Sequence, residues 1–189
     1  KFNLLVLQVQ TIFRKSKSQL SQQVLTSDVI YLFPRPQSTI IDTIIALLSE
    51  CYTGLENKNS VWSKYYDLTR AFDTVSHDIL TDKLIFYGFD VNASNLINSY
   101  LMNRSQYVFY NGICSDLKDV KYGVPQGSVL EPTLFIIYIN DLPYNISTAS
   151  LHPYLFADDL AVTAIADSPH ITQNLLLDND NLITNWCAA

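Results

Sequence analysis

The sequence predicts an α+β domain, a sheet with helices packed on it. Three observations carry this expectation. Val61 to Asp67 reads as a strand, rich in aromatic side chains at Trp62, Tyr65 and Tyr66. Tyr154 to Ala157 and Leu160 to Ala164 read as two apolar arms joined through Asp158-Asp159. Around them lie segments whose apolar residues recur at helical spacing, and strands interleaved with helices in this way make a sheet covered by helices.

Taken in order, residues 3–25 place Leu5, Phe13, Leu20 and Val24 at loosely helical spacing, with Arg14, Lys15 and Lys17 on the polar side. Phe33-Pro-Arg-Pro36 interrupts that run, since proline cannot continue a helix. Ser38 or Thr39 would cap the next helix, where Ile40, Ile41, Ile44, Ile45, Leu47 and Leu48 form a broad apolar face. Asn57-Lys-Asn-Ser60 reads as the turn before the first strand, in which Lys64 is an unexpected guest for a central position. Residues 77–87 form a helix with Ile79, Leu80, Leu84 and Ile85 on one face, and Gly88 stops it. Leu96 to Leu101 fits another helix. Tyr107 to Tyr110, Asn111-Gly112 and Ile113-Cys114 read as a hairpin, because Asn-Gly supplies the positive φ angles of a tight turn. Val129 to Leu142 is predicted helical through Leu130, Leu134, Ile137 and Tyr138. Ile171 to Trp186 is predicted helical through Leu175, Leu176, Leu182, Ile183 and Trp186.

At 189 residues and 48% apolar, the chain can bury one sizeable core. Cys51, Cys114 and Cys187 have no metal-ligand spacing and are odd in number, which fits a reducing, intracellular compartment, nucleus or cytoplasm. No apolar run approaches a membrane span, so no membrane partner is expected. The first residue is Lys1 rather than Met, so a processed chain or a piece of a longer one is expected. A net charge of −6 argues against a free-standing nucleic-acid binder. The charge is uneven, however: residues 1–70 hold eight Lys/Arg against five acids, and residues 71–189 hold four against thirteen. An acidic half paired with a mildly basic half suits a metal site served by a separate phosphate-holding region.

Adjacent carboxylates between apolar arms repel and lose hydration, and divalent cations are the usual remedy. Two such ions about 4 Å apart stabilise both the attacking and the leaving oxygen in phosphoryl transfer. Asp67-Leu-Thr-Arg-Ala-Phe-Asp-Thr-Val-Ser-His77, Ser99 to Tyr107, Gly123-Val-Pro-Gln-Gly-Ser128 with its helix to Pro143, and Phe156-Ala-Asp-Asp159 stand in that order. Together they resemble a reverse transcriptase of the non-LTR retrotransposon type, clearly over residues 61–189 and more faintly upstream. Phe156 stands where that family usually has Tyr.

The resemblance implies a right-hand polymerase palm, an antiparallel sheet with helices packed on one face, with partial fingers and no thumb. Residues 1–60 and 89–122 would be fingers, and 61–88 and 123–189 palm. It implies RNA-directed DNA synthesis from dNTPs on an RNA template and DNA primer, with two Mg²⁺ or Mn²⁺ ions. Asp67 and Asp158 would be the metal ligands, Asp159 a secondary ligand or tuning neighbour, and the carbonyl of Leu68 an added oxygen. Phe72, beside Ala71, would exclude a 2′-hydroxyl. Gln126 would lie against nucleotide and template, with Gly127 and Pro125 shaping the loop, and Arg35 is a candidate triphosphate contact.

Plainer readings stand beside these. Asp158-Asp159 alone is also a hairpin turn, Asp67 alone a helix N-cap, and the phenylalanines core residues. Arg35 alone reads as solvated, and the histidines receive no role. Glu131 occupies a position where the family usually has Gly. It would complete a capping box with Ser128, or repel phosphates along the nucleotide path. The chain stops at Trp186-Cys-Ala-Ala189, before the family's lysine-bearing segment, primer grip and thumb, and it holds no endonuclease. The expectation is a portion of a longer polyprotein, feebly active alone. A non-catalytic nucleic-acid-binding remnant is the alternative, and a metal-dependent nuclease ranks last because no water-activating His or Glu sits in the motifs.

Overall fold

The computed structural model of the chain describes residues 40–188. The readings of residues 3–25, of Phe33 to Pro36, of the caps Ser38 and Thr39, and of Arg35 lie outside the described residues. Two compact units are present, one of residues 70–138 and one of residues 40–69 with 139–188.

The second unit holds helix α1 (Ile40–Glu56) and strand β1 (Ser60–Asp67). A three-stranded antiparallel sheet of order β1-β7-β6 is completed by β6 (Leu151–Phe156) and β7 (Asp159–Ala166). Side chains alternate across a strand, and the contacts of β1 show which face meets which helix. Val61 lies against α1 at Gly54, and Ser63 faces Cys51 across 3.9 Å. Ser60 Oγ and Thr172 Oγ1 are 3.1 Å apart, and Lys64 Nζ donates to Asp180. Thr172 and Asp180 belong to the final helix, α6 (Pro169–Ala188). Odd positions therefore face α1 and even positions face α6. The sheet carries a helix on each face, not on one face as the resemblance implied.

Two further expectations change for the same reason. β1 is an edge strand of this sheet, where a lysine is tolerated and even favoured. The central strand is β7, whose Leu160, Val162 and Ala164 are buried in the core. On α6 the buried positions are Thr172, Leu176, Asn179 and Ile183, one stripe at helical spacing. On α1 the buried positions are Thr43 and Gly54, while Ile41, Ile45, Leu48, Tyr52 and Leu55 are exposed. The apolar face read from the sequence thus points away from the sheet. Close approach of the helix explains why: a Cβ at Gly54 would sit 2.7 Å from Val61 Cγ2 and 3.1 Å from Ile165 Cγ2.

In the first unit, α2 (His77–Phe86) and α3 (Val91–Leu101) form a helical pair. The backbone of Phe89 donates to Leu84 and that of Gly88, at φ 85°, donates to Ile85, a Schellman stop at the predicted glycine. Asp90 accepts from the Ala93 N–H at 2.8 Å, so α3 starts five residues before the expected Leu96. Strands β2 (Arg104–Gln106) and β5 (Lys118–Val120) pair around the hairpin of β3 (Phe109–Tyr110) and β4 (Ile113–Cys114). The β2–β5 pair was not foreseen, because three-residue strands carry too little alternation to read. Asn111 at φ 49° and Gly112 at φ 80° give the hairpin the double positive φ of a type I′ turn. The segment predicted as one helix over 129–142 is α4 (Glu131–Ile139) followed by a short α5 (Leu142–Ile146). Pro143 in the first turn of α5 cannot donate to a continuing helix.

Gly54→Val should destabilise the sheet unit by about 1–3 kcal/mol, since the added methyls meet Val61 and Ile165. Urea unfolding reads this, and Val61→Ala in the same chain should recover part of the loss.

Candidate active site

Asp67 ends β1 and Asp159 begins β7, and the register sets them directly opposite each other. Directly opposed residues share a face and hold their Cβ atoms about 4.5–5.5 Å apart. Both carboxylates are exposed, and they lie on the α1 side of the sheet with Tyr65 and Ala161. Phe156 pairs with Asp159 on the other flank, so β6 and β7 are joined by a two-residue turn of Ala157 and Asp158. Ala157 has φ 53°, the positive angle that type II′ hairpins place at their first turn residue and usually give to glycine. Alanine there retains about 1–2 kcal/mol of strain. Asp158 is half-buried in the turn, and Leu68 is half-buried just beyond β1.

Three of the predicted ligands, Asp67, Asp158 and Asp159, therefore gather at one end of one sheet, and Asp158 lies in a hairpin turn as its plainer reading had it. Among the described residues no cluster of three or more His, Cys, Asp and Glu forms a ready metal cage. The donor set is two opposed carboxylates with a third in the adjoining turn, all hard oxygens of the kind Mg²⁺ and Mn²⁺ prefer.

Beneath this end, on the opposite face, a polar cluster joins β1 to α6. Lys64 Nζ donates to both carboxylate oxygens of Asp180, at 2.7 and 2.6 Å. Tyr66 Oη donates to Asp180 at 2.8 Å and accepts from Asn179 Nδ2 at 3.1 Å. Burial pushes the Tyr66 phenol up to about 12, and the bond from Lys64 holds the Asp180 carboxyl below its ordinary 3.8.

The other predicted contacts assemble in the first unit. Ala71, buried, and Phe72, half-buried, lie in a single 3₁₀ turn (Ala71–Asp73). The Phe72 ring meets Phe135 at a centroid distance of 4.2 Å. The loop carrying Pro125, Gln126 and Gly127 docks on the Phe72–His77 segment through four bonds. The backbone of Gly123 donates to Val75 at 2.8 Å and that of Val124 donates to Phe72 at 2.9 Å. Gln126 Nε2 donates to Asp73 at 2.9 Å, and His77 Nε2 lies 2.8 Å from the Gly123 carbonyl. Gly123 is required: at φ 86°, a Cβ would fall 2.9 Å from the Asp73 backbone. Glu131 closes the loop from the other end. Ser128 Oγ accepts from the Glu131 N–H at 3.1 Å, while the Glu131 carboxylate accepts from the Gly127 N–H. This is the predicted capping box with its return bond shifted one residue upstream.

Asp73, His77, Tyr66 and Asp180 were not singled out by the sequence reading. The partners of His77 and Tyr66 lie 46 and 114 residues away, and no local pattern announces such pairs.

The fold has a counterpart of known structure. An apo telomerase from Candida tropicalis, truncated from the C-terminal domain, superposes with a TM-score of 0.60 over 92% of this chain and 36% of that one, at 15% identity. By its sequence the chain belongs to the reverse transcriptase (RNA-dependent DNA polymerase) family, whose model matches residues 4–185. It is 34% identical over 132 residues to the RNA-directed DNA polymerase from mobile element jockey of Drosophila funebris. It is 29% identical over 150 residues to a probable RNA-directed DNA polymerase from transposon X-element of Drosophila melanogaster. These matches cover 65% and 77% of this chain but 14% and 16% of those relatives. The non-LTR resemblance drawn from the motifs is thus shown.

Gly123→Ala should destabilise the 70–138 unit by about 1–3 kcal/mol, read by urea unfolding, because both the φ angle and the Asp73 backbone oppose a side chain. The Asp180 carboxyl, depressed by Lys64, contributes stability that is present above pH 3.8 and lost as pH falls through its lowered value. Lys64→Met should therefore flatten the fall in urea midpoint below about pH 4, relative to the parent chain.

Proposed function

We propose that this chain is the nucleotidyl-transfer portion of an RNA-directed DNA polymerase of a retrotransposon, joining dNTPs to a primer 3′-hydroxyl on an RNA template. The observation that supports this most is the opposed pair Asp67 and Asp159, with Asp158 in the turn beside them. Like charges directly opposite across a strand pair are unfavourable, and a shared divalent cation turns that repulsion into attraction. Asp67 and Asp158 would hold two Mg²⁺ or Mn²⁺ ions, with Asp159 and the Leu68 carbonyl as additional oxygens. When bound, such ions supply Lewis-acid charge that eases deprotonation of the primer hydroxyl and departure of pyrophosphate.

The chain's own residues select and orient. Phe72 is held against Phe135, so its ring is stiff enough to exclude a 2′-hydroxyl, with Ala71 buried behind it. Gln126, Gly127 and Pro125, fastened to the same turn through Asp73 and Val75, would face the nucleotide. Arg35 is assigned to the triphosphate. Residues 61–88 and 123–189 are assigned to the palm, and 1–60 and 89–122 to the fingers. Further domains of a longer polyprotein, a thumb and an endonuclease among them, would supply primer grip and target cleavage. The small share of its relatives that the chain spans supports this.

Primer extension on an RNA template in Mg²⁺ or Mn²⁺ tests the assignment. Asp67→Asn and Asp158→Asn should each lower incorporation by about 100-fold or more. Unchanged incorporation by Asp158→Asn would remove the ligand assignment.

A further inference from the structure

The cluster beneath the candidate metal ligands has a feature that packing alone does not account for. Asn179 is fully buried, its Nδ2 bonded to Tyr66 Oη, yet its Oδ1 has no hydrogen-bond partner among the described residues. A partly satisfied buried polar group is less stabilising than an apolar one of the same shape. Something other than stability therefore favours polar residues here.

The location suggests what. Among the described residues β1 is an edge strand, its backbone laddered to β7 on one side. At its last residue the ladder brings Asp67 against Asp159, and like charges directly opposite each other oppose that pairing. On the α1 face, the contacts that hold β1 come early in the strand, at Val61 and Ser63, while Tyr65 is 71% exposed. On the α6 face, Lys64 and Tyr66, the last two even positions, are tied to Asp180 and Asn179 at 2.6 to 3.1 Å. The tie falls one residue before Asp67.

We propose that Tyr66, Asn179 and Asp180 form a latch between α6 and the end of β1 that positions Asp67 for cation binding. They are positioning residues, acting through the backbone of Tyr66 and not on the cation. This rests on the assignment of Asp67 as a metal ligand. Without the latch the strand end frays, and each encounter with a divalent ion must first restore the register. Groups that orient metal ligands typically contribute about 10–100-fold to metal affinity.

Titration of the 189-residue chain with Mn²⁺ alone, followed by electron paramagnetic resonance, provides the test. Tyr66→Phe, which removes both phenol bonds without changing charge, should weaken Mn²⁺ binding about tenfold. Asn179→Leu, also uncharged, should weaken it less and serves if Tyr66→Phe does not fold. Ile183→Val, a mild core loss on the same helix, should leave the Mn²⁺ affinity unchanged. Because the latch acts through Asp67, Tyr66→Phe should have no further effect in an Asp67→Asn background. Equal Mn²⁺ affinity in Tyr66→Phe and the parent overturns the latch while leaving the ligand assignment standing. So does a loss matched by Ile183→Val, or one that persists when Asp67 is already Asn. Parent and Asp67→Asn chains that bind Mn²⁺ alike remove the ligand assignment, and the latch with it.

Discussion

Asp67 and Asp159 meet at the end of the β1–β7 ladder, and like charges in that register repel. Everything around them in the sheet unit restrains the consequence. The central strand β7 is buried on both faces from Leu160 to Ala164, which anchors it between its two neighbours. The two-residue turn at Ala157 and Asp158 places a third acidic residue next in sequence to the pair, with an alanine in a glycine-like conformation. Concentrated negative charge and retained backbone strain at one strand end both oppose stability, and the proposed cation would offset the first of them.

The other unit solves a different problem, that of a loop rich in glycine which must nevertheless be stiff. Four hydrogen bonds to the Phe72–His77 segment and a shifted capping box at Ser128 and Glu131 leave the loop few alternatives. Glu131, unusual by comparison with the family's pattern, has its carboxylate engaged by a backbone N–H of the same loop. Its charge is partly neutralised where it stands, which lessens its expected repulsion of phosphates.

Much of this was legible in the sequence because it is written locally. The Asn111-Gly112 turn, the Gly88 stop, the strands flanking Asp158-Asp159 and the Ser128–Glu131 box each depend on residues within a few positions of one another. What the sequence did not reveal depends on distant pairing. Lys64 looked misplaced in a central strand; the strand is at an edge, and its partner Asp180 lies 116 residues on. The isoleucines of α1 looked like a core face, yet the sheet accepts the helix through Gly54, where only a missing side chain permits the approach. Helical periodicity reveals that a helix has an apolar side, not which side its neighbours will take.

The alternation along β1 has a consequence for how variants of this segment should be interpreted. Position 67 opens onto the carboxylate side and positions 64 and 66 onto the α6 side, so neighbouring codons report first on different faces of the sheet. On the proposed reading, a lesion at 67 would silence chemistry in a chain that still folds, whereas one at 64 would act first on the scaffold through Asp180. Copies drifting without selection would accumulate both kinds alike. A surplus of changes on one parity would reveal which of the two, architecture or reaction, was still being maintained.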